Sequence, residues 1–167
     1  APYYGTSASI SSIDLSANTL LSSLFFCNTQ ITSLDVSNHP NLLDIRAWEN
    51  QLTSINVNGA VNLINLKIYD NQITTLDLST NSNLMYLICH NNQMTDLDLS
   101  SNLSLNYLDC SNNNLTSLDI SGNTLQLFNG NQPGGVPQNN SLNNPNLYCI
   151  DVDSAFTFAS AWTLQWL

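Results

Sequence analysis

Ten residues of this chain have the types and spacing to hold a ligand: Asp44, Arg46, Trp48, Lys67, Tyr69, Tyr86, Ile88, His90, Tyr107 and Asp109. They fall into three registers with a period of 21. The first runs Ser23, Asp44, Asn65, Tyr86, Tyr107, the second Phe25, Arg46, Lys67, Ile88, Asp109, and the third Cys27, Trp48, Tyr69, His90, Ser111. Flat rings stack on the C–H faces of sugars, and carboxylates, amides and guanidinium take hydroxyls by paired hydrogen bonds. The chemistry on offer is therefore noncovalent recognition, and a polysaccharide is the expected ligand. Arg46 and Lys67, the two basic residues of the chain, are neighbours in one register. Like charges side by side in a ladder are unfavourable by up to about 1 kcal/mol. Asp44 or Trp48 can offset this for Arg46, and Tyr69 for Lys67.

Covalent and metal chemistry find less support. The two histidines, His39 and His90, stand in no metal or triad spacing. A glycosidase needs two carboxylates across one cleft, but Asp44 and Asp109 are three repeats apart, roughly 14 Å at ladder spacing. The opposite register, Asp14, Asp35, Asn56, Asp77, Asp98 and Asp119, could attract Ca²⁺. One carboxylate per repeat pointing the same way falls short of the six to eight oxygens that ion takes. Solvation and protection of strand edges are the expected roles of that register, and no cofactor is expected.

What must position these side chains is a repeat. Leu84, Leu87, Cys89, Asn92 and Met94 recur as Leu105, Leu108, Cys110, Asn113 and Leu115, and pattern starts fall at Leu21, Leu42, Leu63, Leu84 and Leu105. A fixed period of this kind specifies a solenoid. Inward residues two apart, such as Ile45 and Ala47, define a strand whose neighbours face out. A second inward trio, such as Ile73, Leu76 and Leu78, makes the opposite wall. Asn50, Asn71, Asn92 and Asn113 are expected to satisfy buried backbone groups at the turn.

The chain has 167 residues, the size of one domain, with 8% charged residues and a formal net charge of -10. That balance excludes nucleic acid and anionic membrane as partners, and no apolar run is long enough to span a bilayer. Cys89 and Cys110 share an inward register, while Cys27 and Cys149 lie near opposite ends, so no disulfide is expected.

The unit L-x-x-L-x-C-x-x-N-x-L-T-x-L-D-[LVI]-S-x-N, at 84–102 and 105–123, resembles the 21-residue repeats of bacterial secreted leucine-rich-repeat proteins. These include the internalin J-like proteins, with their cysteine ladder, and surface proteins of Bacteroidetes. The tail NPNLYCIDVDSAFTFASAW resembles the end cap of the latter group. Only two repeats keep the cysteine, and Phe26, Ala47 and Ile68 replace it elsewhere. The resemblance implies noncatalytic adhesins or recognition modules, some attached to polysaccharide-degrading systems. The expected fold is a β-rich solenoid, a right-handed leucine-rich-repeat coil with a parallel sheet on its concave wall and about six repeats. One domain spans 1–167, with a partial repeat at 1–12, repeats over 13–140, and a cap over 141–167 that carries a helix around Ala155 to Trp162. The expected function is a noncatalytic carbohydrate-binding module of a secreted or cell-surface bacterial protein. The alternative is an internalin-type adhesin domain that binds a host or cell-surface protein.

Overall fold

A computed structural model of the chain describes residues 10–123, 125, 143–147 and 149–151, without the side chains of Ile150 and Asp151. The 21-residue period becomes a coil built from three-residue strands. On the first wall, β1 (Ser23–Phe25), β3 (Asp44–Arg46), β5 (Asn65–Lys67), β6 (Tyr86–Ile88) and β7 (Tyr107–Asp109) form a five-stranded parallel sheet in that order. Each central residue pairs with its counterpart one coil on: Leu24 with Ile45, Ile45 with Leu66, Leu66 with Leu87, Leu87 with Leu108. Strands this short survive because every coil pairs with its neighbours and places a leucine or isoleucine inside.

The second wall is less regular. There β2 (Ser33–Asp35) pairs with β4 (Ser54–Asn56), and β8 (Ser117–Asp119) pairs with β9 (Cys149–Asp151), both in parallel. Residues 75–77 and 96–98 make no strand, although Leu76, Leu78, Leu97 and Leu99 still bury their side chains. Between the walls lies one apolar core, with Ile45, Leu66, Ile68, Leu87, Cys89 and Met94 fully enclosed.

Two ladders of side-chain amides close the coil. At the turn after the first wall, the Asn71 amide donates to the carbonyls of Ala47 at 2.9 Å and Ile68 at 3.0 Å, and its Oδ1 accepts from the Leu52 N–H at 3.0 Å. Asn92 and Asn113 repeat this arrangement one and two coils on. Without these amides, the turn would leave buried carbonyls unpaired. The residue before each ladder asparagine sits in the left-handed region: Glu49, Asp70, Asn91, Asn112 and Asn143 have φ between 52° and 55°. Asn and Asp tolerate this conformation, and Glu49 is the exception among them.

The second ladder was not foreseen. Asn81 donates to Val57 and Ala60 carbonyls at 3.1 and 2.9 Å, and Asn102 to those of Leu78 and Asn81 at 3.1 and 2.9 Å. His39 stands in the same register, buried, with Nε2 3.1 Å from the Leu15 carbonyl; its Nδ1, like Oδ1 of Asn81 and Asn102, has no partner among the described residues. At Gly59 the coil crosses so closely that an added Cβ would fall 1.5 Å from the Ser37 carbonyl oxygen.

Part of the expected cap at 141–167 is described. Asn144 takes the turn register, accepting from the Leu115 N–H at 3.0 Å and donating to the Cys110 carbonyl at 3.1 Å. The helix expected around 155–162, the residues of the expected first partial repeat up to 9, and most of the Gly/Pro/Asn stretch before 143 lie outside the described residues.

Candidate recognition face

The three outward registers stand on the first wall, aligned by the strand pairing: Ser23, Asp44, Asn65, Tyr86 and Tyr107 in one column, and Phe25, Arg46, Lys67, Ile88 and Asp109 in the next. Just beyond the strand ends, the third column becomes a row of rings. Trp48 stacks on Tyr69 with centroids 5.3 Å apart and planes 6° from parallel, and Tyr69 stacks on His90 at 4.6 Å and 17°. Phe25 meets Trp48 edge-on at 5.1 Å, and Tyr86 lies 6.4 Å from Tyr107. Ladder spacing brings rings of successive coils to stacking distance, so they satisfy one another.

That geometry changes how the ten expected residues can act. The rings of Trp48, Tyr69 and His90 are half-buried and turn faces toward each other, where open faces had been expected. Arg46 is held by Asp44 through Nε at 2.9 Å and a second nitrogen at 2.8 Å. This ion pair offsets the crowding of Arg46 against Lys67, which forms no ion pair among the described residues. Asp109 accepts from the N–H and hydroxyl of Ser111 at 3.1 and 2.7 Å. Tyr107 is only 3% exposed, and its hydroxyl has no partner among the described residues. Burial, reinforced by the Asp109 carboxylate, pushes that phenol well above its ordinary range. Tyr69 is raised in the same direction, by burial first and then by the carboxylates of Glu49 and Asp70. Ile88 is half-buried, while Phe25 and Tyr86 remain 60% and 39% exposed.

The acidic register of the second wall has a structural task that sequence reasoning missed. Asp14, Asp35, Asp77, Asp98 and Asp119 each accept, through Oδ1, the N–H of the serine two residues on, at 2.8 to 3.0 Å. Asn56 does the same for Asn58 at 3.2 Å. The signal was present in the recurring D-x-S, which is a turn closed by its own side chain. Among the described residues no three His, Cys, Asp or Glu side chains gather as a metal site would require. Cys27, Cys89 and Cys110 are free, and burial raises the Cys89 thiol and pushes Cys110 up to about 12.

No family model matches the chain, and no curated protein matches it. Among solved structures, it is similar to one described as the functional domain of InlJ from Listeria monocytogenes, which includes a cysteine ladder. Identity is 25%, with 86% of this chain and 42% of that one covered, at a TM-score of 0.49. The chain thus spans less than half the length of that structure. The architecture is decided by the coil itself: first-wall strands 21 residues apart in a parallel ladder, inward leucines, and turn asparagines bonding from coil to coil. The chain folds as a leucine-rich-repeat solenoid. In this solenoid no described helix is long and apolar enough to cross a membrane.

Proposed function

We propose that this solenoid is a noncatalytic recognition module of a secreted or surface-displayed bacterial protein, and that it engages a protein partner through its five-stranded face. The observation that carries this reading is the stack of Trp48, Tyr69 and His90. Rings that spend their faces on one another offer a partner their edges, together with exposed Phe25 and Tyr86 and the ammonium of Lys67. Rigid Trp and Tyr side chains are what dominate protein interfaces, because they bury much area and lose little freedom. The groups suited to sugar hydroxyls are mostly engaged, Asp44 by Arg46 and Asp109 by Ser111.

A second reading, a polysaccharide ligand, is favoured by one observation. The row of rings runs through three successive coils at 5.3 and 4.6 Å, so a linear glycan lying along it would meet one ring per coil. Affinity electrophoresis against neutral and uronic polysaccharides separates the two, run beside binding to cell surfaces with and without protease treatment. A protein partner predicts no retardation by any glycan, and surface binding that protease and Trp48→Ala both abolish. Retardation that disappears in Trp48→Ala and Tyr69→Ala would overturn the protein reading in favour of the second. Salt dependence then tells whether Lys67 contacts an anion, since charge pairing weakens with ionic strength.

A further inference from the structure

A second regular surface lies away from the rings, on the segment leading from the asparagine turn to the second wall. There Ile31, Leu52, Ile73, Met94 and Leu115 point inward and are buried. The residues flanking each are exposed and repeat with little change: Gln30, Gln51, Gln72, Gln93 and Asn114 on one side, Thr32, Thr53, Thr74, Thr95 and Thr116 on the other. The core does not impose this, since the outward column Phe25, Arg46, Lys67, Ile88, Asp109 varies freely on the same coils.

The backbone fixes the spacing of these columns. The N–H groups of Gln30, Gln51, Gln72, Gln93 and Asn114 each donate to the preceding coil, to Ile10, Ile31, Leu52, Ile73 and Met94 carbonyls, at 2.8 to 3.2 Å. Identical side chains therefore recur at the parallel-ladder repeat of about 4.7–4.9 Å. The fold leaves their polar groups almost unused. Among the described residues only the Thr53 hydroxyl of these columns bonds to protein, at 3.2 Å from the Thr32 carbonyl. The hydroxyls of Thr32, Thr74, Thr95 and Thr116 and the four glutamine amides make no such bond among the described residues.

We propose that this Gln/Thr face binds ice. Its repeat lies within a few tenths of an ångström of the oxygen repeat along one axis of hexagonal ice. Waters bridging successive threonines would therefore fall into lattice register over five coils. A bridging water is immobilised at modest entropic cost, and the β-branched threonines beneath it are already stiff at χ1. Both columns are uncharged, and charged groups would hold water in shells that do not match a crystal. A crystalline polysaccharide fits less well, because it would be gripped by flat rings and neither column contains one.

Thermal hysteresis and ice recrystallisation, measured on the purified chain, test the proposal. A gap between melting and freezing points and arrested grain growth are expected. Thr74→Tyr and Thr95→Tyr, which leave the buried neighbours untouched, should lose most of both effects. Ser82→Tyr, exposed outside the columns, should keep them. Circular dichroism and melting temperature establish that each variant is folded. Absence of both effects in the unmutated protein overturns the proposal, as does full activity of the folded Thr74→Tyr and Thr95→Tyr variants. Retention on microcrystalline cellulose or chitin without any effect on ice also overturns it, in favour of a crystalline glycan.

Discussion

The imidazole of His90 lies on the phenol of Tyr69, centroids 4.6 Å apart and planes 17° from parallel, and the other face of Tyr69 is stacked with Trp48. Tyr69 is thus the middle of a three-ring column.

Replacing Tyr69 by alanine removes two ring contacts at once. At about 0.5–1.5 kcal/mol per aromatic pair, the loss in stability should be about 1–2 kcal/mol, discounted for the half-exposed position. Near-ultraviolet circular dichroism should lose the coupled Trp–Tyr signal. An unchanged spectrum and unchanged denaturation midpoint would mean that the rings do not stack in solution.

His39 occupies a position where Asn81 and Asn102 each donate two hydrogen bonds, and it makes one. Asn81 and Asn102 each leave Oδ1 without a partner among the described residues, as His39 leaves Nδ1, so a His39→Asn variant should gain one donated hydrogen bond and no more, raising stability by about 1 kcal/mol. Urea denaturation reads this directly, and a lower midpoint would contradict the ladder argument.

Hydrogen bonds from the serine two residues on lower the pKa of each carboxyl in the folded chain, chiefly from its N–H at Asp35 and Asp77 and chiefly from its hydroxyl at Asp98 and Asp119. A folded value below the unfolded one stabilises above the ordinary value of 3.8, and the contribution disappears as pH falls through the lowered folded values. Melting temperature should therefore drop on acidification below that value. Changing these four aspartates to asparagine, as nature has at Asn56, should keep the turns and flatten the acid limb. An acid limb equally steep in that variant would assign the effect to other groups.

Gly59→Ala should be far more damaging than a turn substitution elsewhere. The new methyl would collide with the Ser37 carbonyl, which is backbone and can yield only by distorting the coil. Overpacking of this kind typically destabilises by about 1–3 kcal/mol. A Gly59→Ala protein as stable as the parent would show that neighbouring coils can shift apart there.

The inward residues and the turn asparagines were legible because a strict period leaves them one environment each. Ile45, Leu66 and Leu87 had to be inside once their neighbours were outside. The second amide ladder escaped notice because Asn81 and Asn102 follow Thr80 and Ser101 in what reads as an ordinary polar turn. Column membership told which rings were adjacent. It could not tell that Trp48 and Tyr69 would stack on one another, because that depends on side-chain torsions that spacing does not encode. Nor could it reveal the burial of Tyr107, whose column also holds the exposed Tyr86.

The arrival of Asn144 in the turn register carries a lesson of another kind. It stands 31 residues after Asn113 where earlier coils allow 21, yet makes the same bonds to Cys110 and Leu115. The scaffold counts landings and not steps: a coil closes when the right amide reaches its socket, however long the detour. The bonds of Asn144 thus accommodate ten more residues between one turn asparagine and the next, so a foreign segment spliced in between the two should leave the register of the earlier coils unchanged.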